Sequence, residues 1–306
     1  MPMLSFIVPT KSFATIADVA ERLAAQSVAE EIELVVVCPA ASELGEYERV
    51  NAVRVTVVEH PLLPLGEARA AGVRAAAAPI VAIGETHAFP APGWGEHLIA
   101  AHEGPWTAVV PAITNANPDG GATSWSTFLI DYGRWALGDG AREIDDPPSY
   151  NASFKKNHLV ELGDDLGRLL EPGTGLPREL RKRGHRSYYE PKARIEHLNL
   201  ARRGAWLYER FLGGRLLGAA RRAHWPVART LLYVVGSPLV PVVRLARSRH
   251  ALVALARNHG LPPHTHAAVV LACVVWGAGE LVGYVAGRGR AEADMLEYEL
   301  HKARYL

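Results

Sequence analysis

The chain has 306 residues, 49% of them hydrophobic and 21% charged, with 33 Lys and Arg against 32 Asp and Glu. Such a composition supports a packed core and excludes global disorder, and two cysteines, Cys38 and Cys273, exclude a disulfide scaffold. The near-neutral balance conceals an asymmetry: residues 1–177 carry 11 Lys/Arg against 23 Asp/Glu, residues 178–257 carry 18 against 4, and residues 258–306 carry 4 against 5. A basic block of that size points to an anionic partner (a membrane surface, a nucleic acid or a phosphorylated substrate), with a solvated helical face as the plainer reading. No basic stretch followed by an apolar run opens the chain, so no secretory signal is expected, and the Asn151-Ala152-Ser153 sequon is read as chance.

In chain order, residues 3–9 (MLSFIVP) form an apolar run of strand length, and apolar residues at helical spacing follow over 16–25. Residues 33–38 (ELVVVC) and 53–58 (VRVTVV) read as further strands, residues 66–78 as an Ala-rich helix, and residues 80–83 (IVAI) as a fourth strand. Strands alternating with helices predict parallel βαβ units and a doubly wound α/β sheet. The fourth strand stops at Gly84 and runs into Glu85, Thr86 and His87. A carboxylate and an imidazole just past the carboxyl end of such a strand stand where open α/β sheets bind ligands, although a polar turn would look the same.

A helix is expected over 92–103, a strand over 107–113, a loop over 115–124 with its Asn-Pro-Asp-Gly-Gly run, and a helix or amphipathic segment over 125–135. Residues 138–149 are acidic and Pro-rich and read as a mobile loop; 151–156 read as a short strand. Residues 158–170 read as a helix broken by Pro172-Gly173-Thr174-Gly175, and 177–183 as a helix stopped by Gly184. Two short strands are expected at 185–189 and 193–197. Beyond residue 200 the character changes. Residues 205–224 are helical and rich in arginine, and 231–243 are apolar but interrupted by Gly236, Pro238 and Pro241. Residues 267–286 are apolar apart from Glu280. A spanning helix needs about 20 apolar residues. The first segment is too short, and the second carries a costly glutamate. Helices lying in a membrane interface are therefore expected, ahead of a spanning hairpin or a soluble bundle. Gly213-Gly214 follows no strand and reads as a close-packing point between helices.

Several motifs in order resemble a family 2 glycosyltransferase of the GT-A fold. Ser5-Phe6-Ile7-Val8-Pro9-Thr10 resembles that family's first strand, Glu33-Leu34-Val35-Val36-Val37 its second, and Ala68-Arg69-Ala70-Ala71-Gly72 the Ala-Arg-x-x-Gly helix before the metal motif. Glu85-Thr86-His87 sits where the family places Asp-x-Asp, followed by Pro92-Gly93-Trp94. Asn151-Ala152-Ser153-Phe154-Lys155 resembles an element of the acceptor half, and Gly184-His185-Arg186 through Ala193-Arg194-Ile195-Glu196-His197 resembles the closing run.

This resemblance, over about residues 3–200, implies a GT-A-like doubly wound, mostly parallel sheet in 1–200 and an inverting transfer from a nucleotide-diphosphate-sugar to a glycan or other acceptor. The basic and apolar helices of 201–306 add the expectation of a helical, membrane-associating region that holds the domain at an anionic membrane surface, on the cytoplasmic face, and of a lipid-linked acceptor. No nucleic acid is then expected, and a homo-oligomer is compatible with it. Donor contacts would come from Pro9, Thr10, Arg69 and Glu85. A divalent metal, Mn or Mg, would be held by Glu85, His87 and His197. Mg²⁺ favours oxygen ligands and Mn²⁺ also accepts imidazole. The general base would be Glu171, with Asp146 and Asp145 as second choices. Two other readings stand behind this one. A nucleotidyltransferase would need a glycine-rich phosphate loop after the first strand, which Pro9-Thr10-Lys11-Ser12 lacks. A degenerate scaffold that binds a partner or lipid is motivated by the Glu-Thr-His variation.

Overall fold

The computed structural model describes residues 1–45, 53–136, 138, 140–171 and 173–306. Asp139 of the acidic loop and the helix-breaking Pro172 lie outside the described residues. In chain order the elements are β1 (Leu4–Pro9), α1 (Ala17–Ala24), β2 (Ile32–Cys38), β3 (Arg54–Glu59), α2 (Leu65–Ala75), β4 (Ile80–Ile83), β5 (Ala88–Pro90), α3 (Trp94–His102), β6 (Ala108–Asn115) and α4 (Gly121–Asp131). They continue as β7 (Arg142–Ile144), β8 (Ala152–Lys155), α5 (Lys156–Val160), α6 (Leu166–Leu169), α7 (Leu176–Lys182), β9 (Ser187–His197), α8 (Arg203–His224), α9 (Val227–Gly236), α10 (Val240–His259), α11 (Thr265–Ala286) and α12 (Ala291–His301).

The chain divides into two units. A sheet unit takes residues 1–114 and 137–196, and a helical unit takes residues 115–136 and 197–306. The strand order is β3-β2-β1-β4-β8-β6-β9-β5, with β7 pairing β9 off this path. β1 lies parallel to β2 and β4, and β2 parallel to β3. Every residue of β1, β2 and β4 is buried, as expected of parallel strands covered on both faces. β8 then runs antiparallel to both β4 and β6. One buried charge ties the parallel half together: the Glu33 carboxylate accepts from Ser5 Oγ (2.5 Å), Thr56 Oγ1 (2.7 Å) and the Ala77 amide (2.7 Å). A carboxylate with this many donors is stable in the interior.

Four expectations need correction. The acidic stretch after residue 138 is not all loop: Arg142–Ile144 pairs antiparallel with residues 187–189, and Arg186 makes a two-pronged ion pair with Glu143 (2.9 and 2.6 Å). The helix expected over 158–170 is two short ones, because Gly163 takes a left-handed φ of +62°. The two strands around Pro191 are one, Ser187–His197, because the fixed φ of proline is compatible with an extended backbone; beside it the Glu190 carboxylate accepts the Lys192 amide (2.9 Å). The loop at 115–124 already holds the start of α4, at Gly121.

In the helical unit α8 lies along α11, and glycines set the distance. A Cβ on Gly214 would stand 2.1 Å from the Trp276 carbonyl oxygen, and one on Gly218 2.3 Å from that of Glu280. Reciprocally, a Cβ on Gly279 would meet the Phe211 carbonyl (2.2 Å) and one on Gly283 that of Arg215 (2.3 Å). Gly214 and Gly218, like Gly279 and Gly283, are four residues apart, so each helix presents one glycine stripe to the other's backbone. The expectation for Gly214 is met. Glu280 is buried with its partners: it accepts from Arg221 (3.0 Å), Trp276 Nε1 (2.9 Å) and the Tyr284 hydroxyl (3.0 Å). Leu200, Trp206 and Ala272 form a small apolar core here, with Leu207, Tyr298 and Tyr305 against it.

Candidate active site

Strand β4 delivers Glu85 and His87 to the carboxyl end of the parallel strands. Gly84 makes this possible: its amide donates to Ile7 O (2.8 Å), and a Cβ there would strike the Phe6 ring at 2.1 Å. That ring packs edge-on against Trp94, the first residue of α3, with centroids 5.7 Å apart. Glu85, Thr86 and His87 are all buried.

Around Glu85 the sheet unit gathers a near neighbour, His87, and two residues from farther off in the chain, Arg69 and Asn151. Asn151 Nδ2 donates to Glu85 Oε2 at 2.6 Å. His87 Nε2 stands 3.7 Å from the same oxygen, and Arg69 4.0 Å from Oε1. Arg69 is itself buried; it donates to Leu170 O (3.3 Å) and lies over the Tyr150 ring (5.3 Å). Asn151 is held by a left-handed φ of +54° and by its amide bond to Ile83 O (2.7 Å). Asn tolerates that region better than most residues. Thr86 Oγ1 lies 3.3 Å from His87 Nδ1, which leaves Nε2 as the ring nitrogen directed at the carboxylate.

The remaining sequence-derived candidates are placed as follows. Pro9 ends β1. Thr10 is buried beyond it, and its hydroxyl is engaged locally with Thr15 Oγ1 (2.5 Å) and Ser12 O (3.0 Å). Glu171 accepts the Gly66 amide at 2.6 Å, so its carboxylate sits at the N-terminus of α2, where a negative charge is favoured. Asp145 and Asp146 follow β7, and the Asp145 carbonyl accepts from Arg181. In the helical unit, His197 is the last residue of β9. Its Nδ1 pairs with Asn199 Oδ1 (3.0 Å), and its ring lies 4.4 Å from that of Tyr132. Asn199 is fixed in turn by Asn115 and Asn117: it donates to Asn115 Oδ1 (2.9 Å), its amide donates to Asn117 Oδ1 (2.8 Å), and its carbonyl accepts from Asn117 Nδ2 (2.7 Å).

No protein-family model and no curated protein matches the amino-acid sequence. Solved structures do match. The mannosyltransferase PcManGT from Pyrobaculum calidifontis, in complex with GDP-Man and Mn2+, is similar over 92% of this chain and 87% of its own, at 17% identity and a TM-score of 0.56. S. aureus TarS 1-349 in complex with UDP aligns over 92% of this chain and 90% of its own, at 13% identity and a TM-score of 0.47. The fold is of the GT-A type. The expected α/β architecture with a helical C-terminal region is therefore met.

Within that fold, sequence reading missed two kinds of residue. Asn151 was visible only as part of a motif; its bond to Glu85 spans 66 positions, and no spacing rule joins them. The Asn115, Asn117 and Asn199 network was hidden because asparagines in a Pro-Asp-Gly-Gly stretch look like ordinary turn residues. His102 belongs to the core of the sheet unit. Burial, together with the nearby Lys155 charge, pushes its imidazole down to about 3, and its Nε2 pairs with Ser153 Oγ (2.9 Å).

Proposed function

We propose that this chain is a family 2-like, inverting glycosyltransferase. It moves a sugar from a nucleotide-diphosphate-sugar to a lipid-linked acceptor at the cytoplasmic face of an anionic membrane. The observation that carries the reading is the buried group of Arg69, Glu85, His87 and Asn151 at the carboxyl ends of β1 and β4, in a chain with the fold of a mannosyltransferase. Ligands of open α/β sheets bind in that crevice.

Glu85, His87 and His197 are proposed to hold a divalent cation, Mn or Mg. The donor set fits: one carboxylate and two imidazoles, all buried. Both histidines have Nδ1 beside a side-chain oxygen, Thr86 for His87 and Asn199 for His197. That arrangement fixes the ring and leaves Nε2 to ligate, as metal-bound histidines require. When bound, the cation would neutralise charge on the diphosphate leaving group. Arg69 supplies a fixed positive charge beside it, and Asn151 holds the Glu85 carboxylate in place. Pro9 and Thr10 close the strand end against the nucleoside. Removal of the acceptor proton is assigned to Glu171, Asp146 or Asp145. Glu171 would have to exchange its bond to the Gly66 amide for the acceptor hydroxyl.

The membrane reading rests on residues 201–306, the proposed helical appendage to a catalytic region in 1–200. Two helices, Val227–Arg249 and Thr265–Ala286, are long and apolar enough to cross a membrane by length and composition, and only 6% of the first is buried. Val227, Leu231, Val235, Leu239 and Val243 recur every four residues and are all exposed. The 14 residues between Arg229 and Arg244 cover about 21 Å as helix, short of the roughly 30 Å hydrocarbon core. This helix is therefore proposed to lie in the interface, with its stripe against the acyl chains.

The test is release of nucleoside diphosphate from a panel of nucleotide-sugars, with and without polyprenyl-phosphate vesicles. Metal-dependent release that Glu85→Gln abolishes supports the reading. Inertness of the wild-type chain toward every donor would favour the non-catalytic scaffold, which the engagement of Glu171 with Gly66 also fits.

A further inference from the structure

The helical unit contains a buried cationic cluster that the transfer chemistry does not use. Its centre is Arg210, whose guanidinium is fully engaged: Nη1 and Nη2 bond the two Asp131 oxygens (2.8 and 2.7 Å), and Nε and Nη2 bond Glu209 (2.6 and 2.7 Å). Asp131 also lies in the field of Arg244 and Lys302. Glu280 also acts on Arg244 and is itself occupied by Arg221, Trp276 and Tyr284. Among the described residues, the cations Arg210, Arg221, Arg244 and Lys302 thus face the carboxylates Asp131, Glu209 and Glu280.

Arg244 is the cation without a carboxylate of its own. Its guanidinium stacks on the Trp276 ring at 4.0 Å, the Cys273 thiol is its polar neighbour, and its Nε is buried with no partner. A thiol is a weak acceptor for a five-donor fork. Desolvating a guanidinium in this way is costly unless an anion completes it. The residue as a whole is half-buried, so part of its side chain stays open to solvent. It follows directly on Val242 and Val243, both exposed on the apolar stripe of α9 and α10. From residue 210 to residue 279 the chain has nine arginines and no Asp or Glu. No carboxylate of that stretch competes for the site.

We propose that Arg244, backed by Trp276, binds the phosphate of an anionic phospholipid headgroup and so sets the depth at which α9 and α10 lie in the bilayer. The planar fork takes two phosphate oxygens at once, and the flanking valines meet the acyl chains of the same lipid. The inference rests on the membrane reading above but not on sugar transfer.

The test uses the full chain and vesicles of phosphatidylcholine, alone or doped with phosphatidylglycerol. The wild type is expected to partition onto the doped vesicles. Arg244→Lys keeps the charge and loses the fork; it should weaken that partitioning roughly tenfold. Arg229→Lys, exposed beside Trp225, should change it by no more than about twofold. Equal partitioning of wild type and Arg244→Lys would overturn the site and leave only diffuse attraction. A measurement on the wild type alone guards against a variant that misfolds: dihexanoyl-phosphatidylglycerol should raise its Tm and dihexanoyl-phosphatidylcholine should not. Stabilisation by inorganic phosphate as large as that by the lipid would reassign the site to free phosphate and overturn the proposal. Failure of the wild type to bind any vesicle would sink the membrane reading with it, whereas donor turnover in solution reports on the sugar chemistry separately.

Discussion

Arg210 in the helical unit and Arg69 in the sheet unit are both almost fully buried, at 3% and 2% exposure, yet they are held in different ways. Arg210 makes four charge-assisted hydrogen bonds of 2.6–2.8 Å to Asp131 and Glu209. Arg69 stands 4.0 Å from Glu85, reaches a carbonyl at 3.3 Å and rests on a tyrosine ring. The first arrangement is a structural lock, because its geometry is closed by the protein itself. The second holds its guanidinium by longer contacts at a strand end, where the diphosphate of the proposed donor would lie. Burial of charge alone does not mark a site; the tightness of its pairing and its position on the sheet do.

The largest expected effect tests the lock. Arg210→Met strands the buried Glu209 carboxylate and the half-buried Asp131 carboxylate and should cost ~3–5 kcal/mol in urea unfolding. Arg69→Met should cost less than half as much. Equal losses would remove the distinction between the two arginines. Glycine packing comes next. Gly214→Ala drives a methyl into the Trp276 carbonyl and should cost ~1–3 kcal/mol. Gly84→Ala meets the Phe6 ring, a side chain that can turn, and should cost less than Gly214→Ala. The reverse order would mean that the sheet unit is the more rigidly packed.

His102 gives the third effect, as a pH dependence. Its imidazole is held down to about 3, first by burial and then by Lys155, against 6.5 for the unfolded chain. Between those values the unfolded chain binds more protons, so stability falls as the pH drops from 6.5 toward 3. The loss attributable to His102 should be about 2 kcal/mol between pH 7 and pH 5. His102→Gln should flatten that part of the pH profile of unfolding; an unchanged slope would show that the ring is not held neutral. The smallest effect belongs to the exposed pair Arg168–Asp165, at 2.9 Å. Arg168→Ala should change stability by no more than about 0.5 kcal/mol, and a larger change would mean that this exposed pair counts for more than exposed pairs ordinarily do.

Much of the sheet was legible because its signals are local. Residues 32–38 and 80–83 are unbroken apolar runs, and buried parallel strands need nothing else. The long strand through Pro191 was not legible, since a proline reads as a strand break, whereas Ser187–His197 runs through it unbroken. The position of Glu85 could be read from its place after the fourth strand. Its partnership with Asn151 could not, because a backbone at φ +54° and a contact made across two strands leave no trace in spacing. For Glu171, motif order suggests a base, and the bond of its carboxylate to the amide of Gly66 at the start of α2 is a long-range contact that no spacing announces.

The central claim is that Glu85 anchors a metal-dependent nucleotide site. Calorimetric titration of GDP and UDP into the full chain, with Mn²⁺ and with EDTA, tests it most directly. The expected result is binding of at least one nucleotide that requires Mn²⁺ and weakens at least about tenfold in Glu85→Gln, while thermal unfolding without metal stays close to wild type. Nucleotide binding that is indifferent to both Mn²⁺ and Glu85→Gln would contradict the claim.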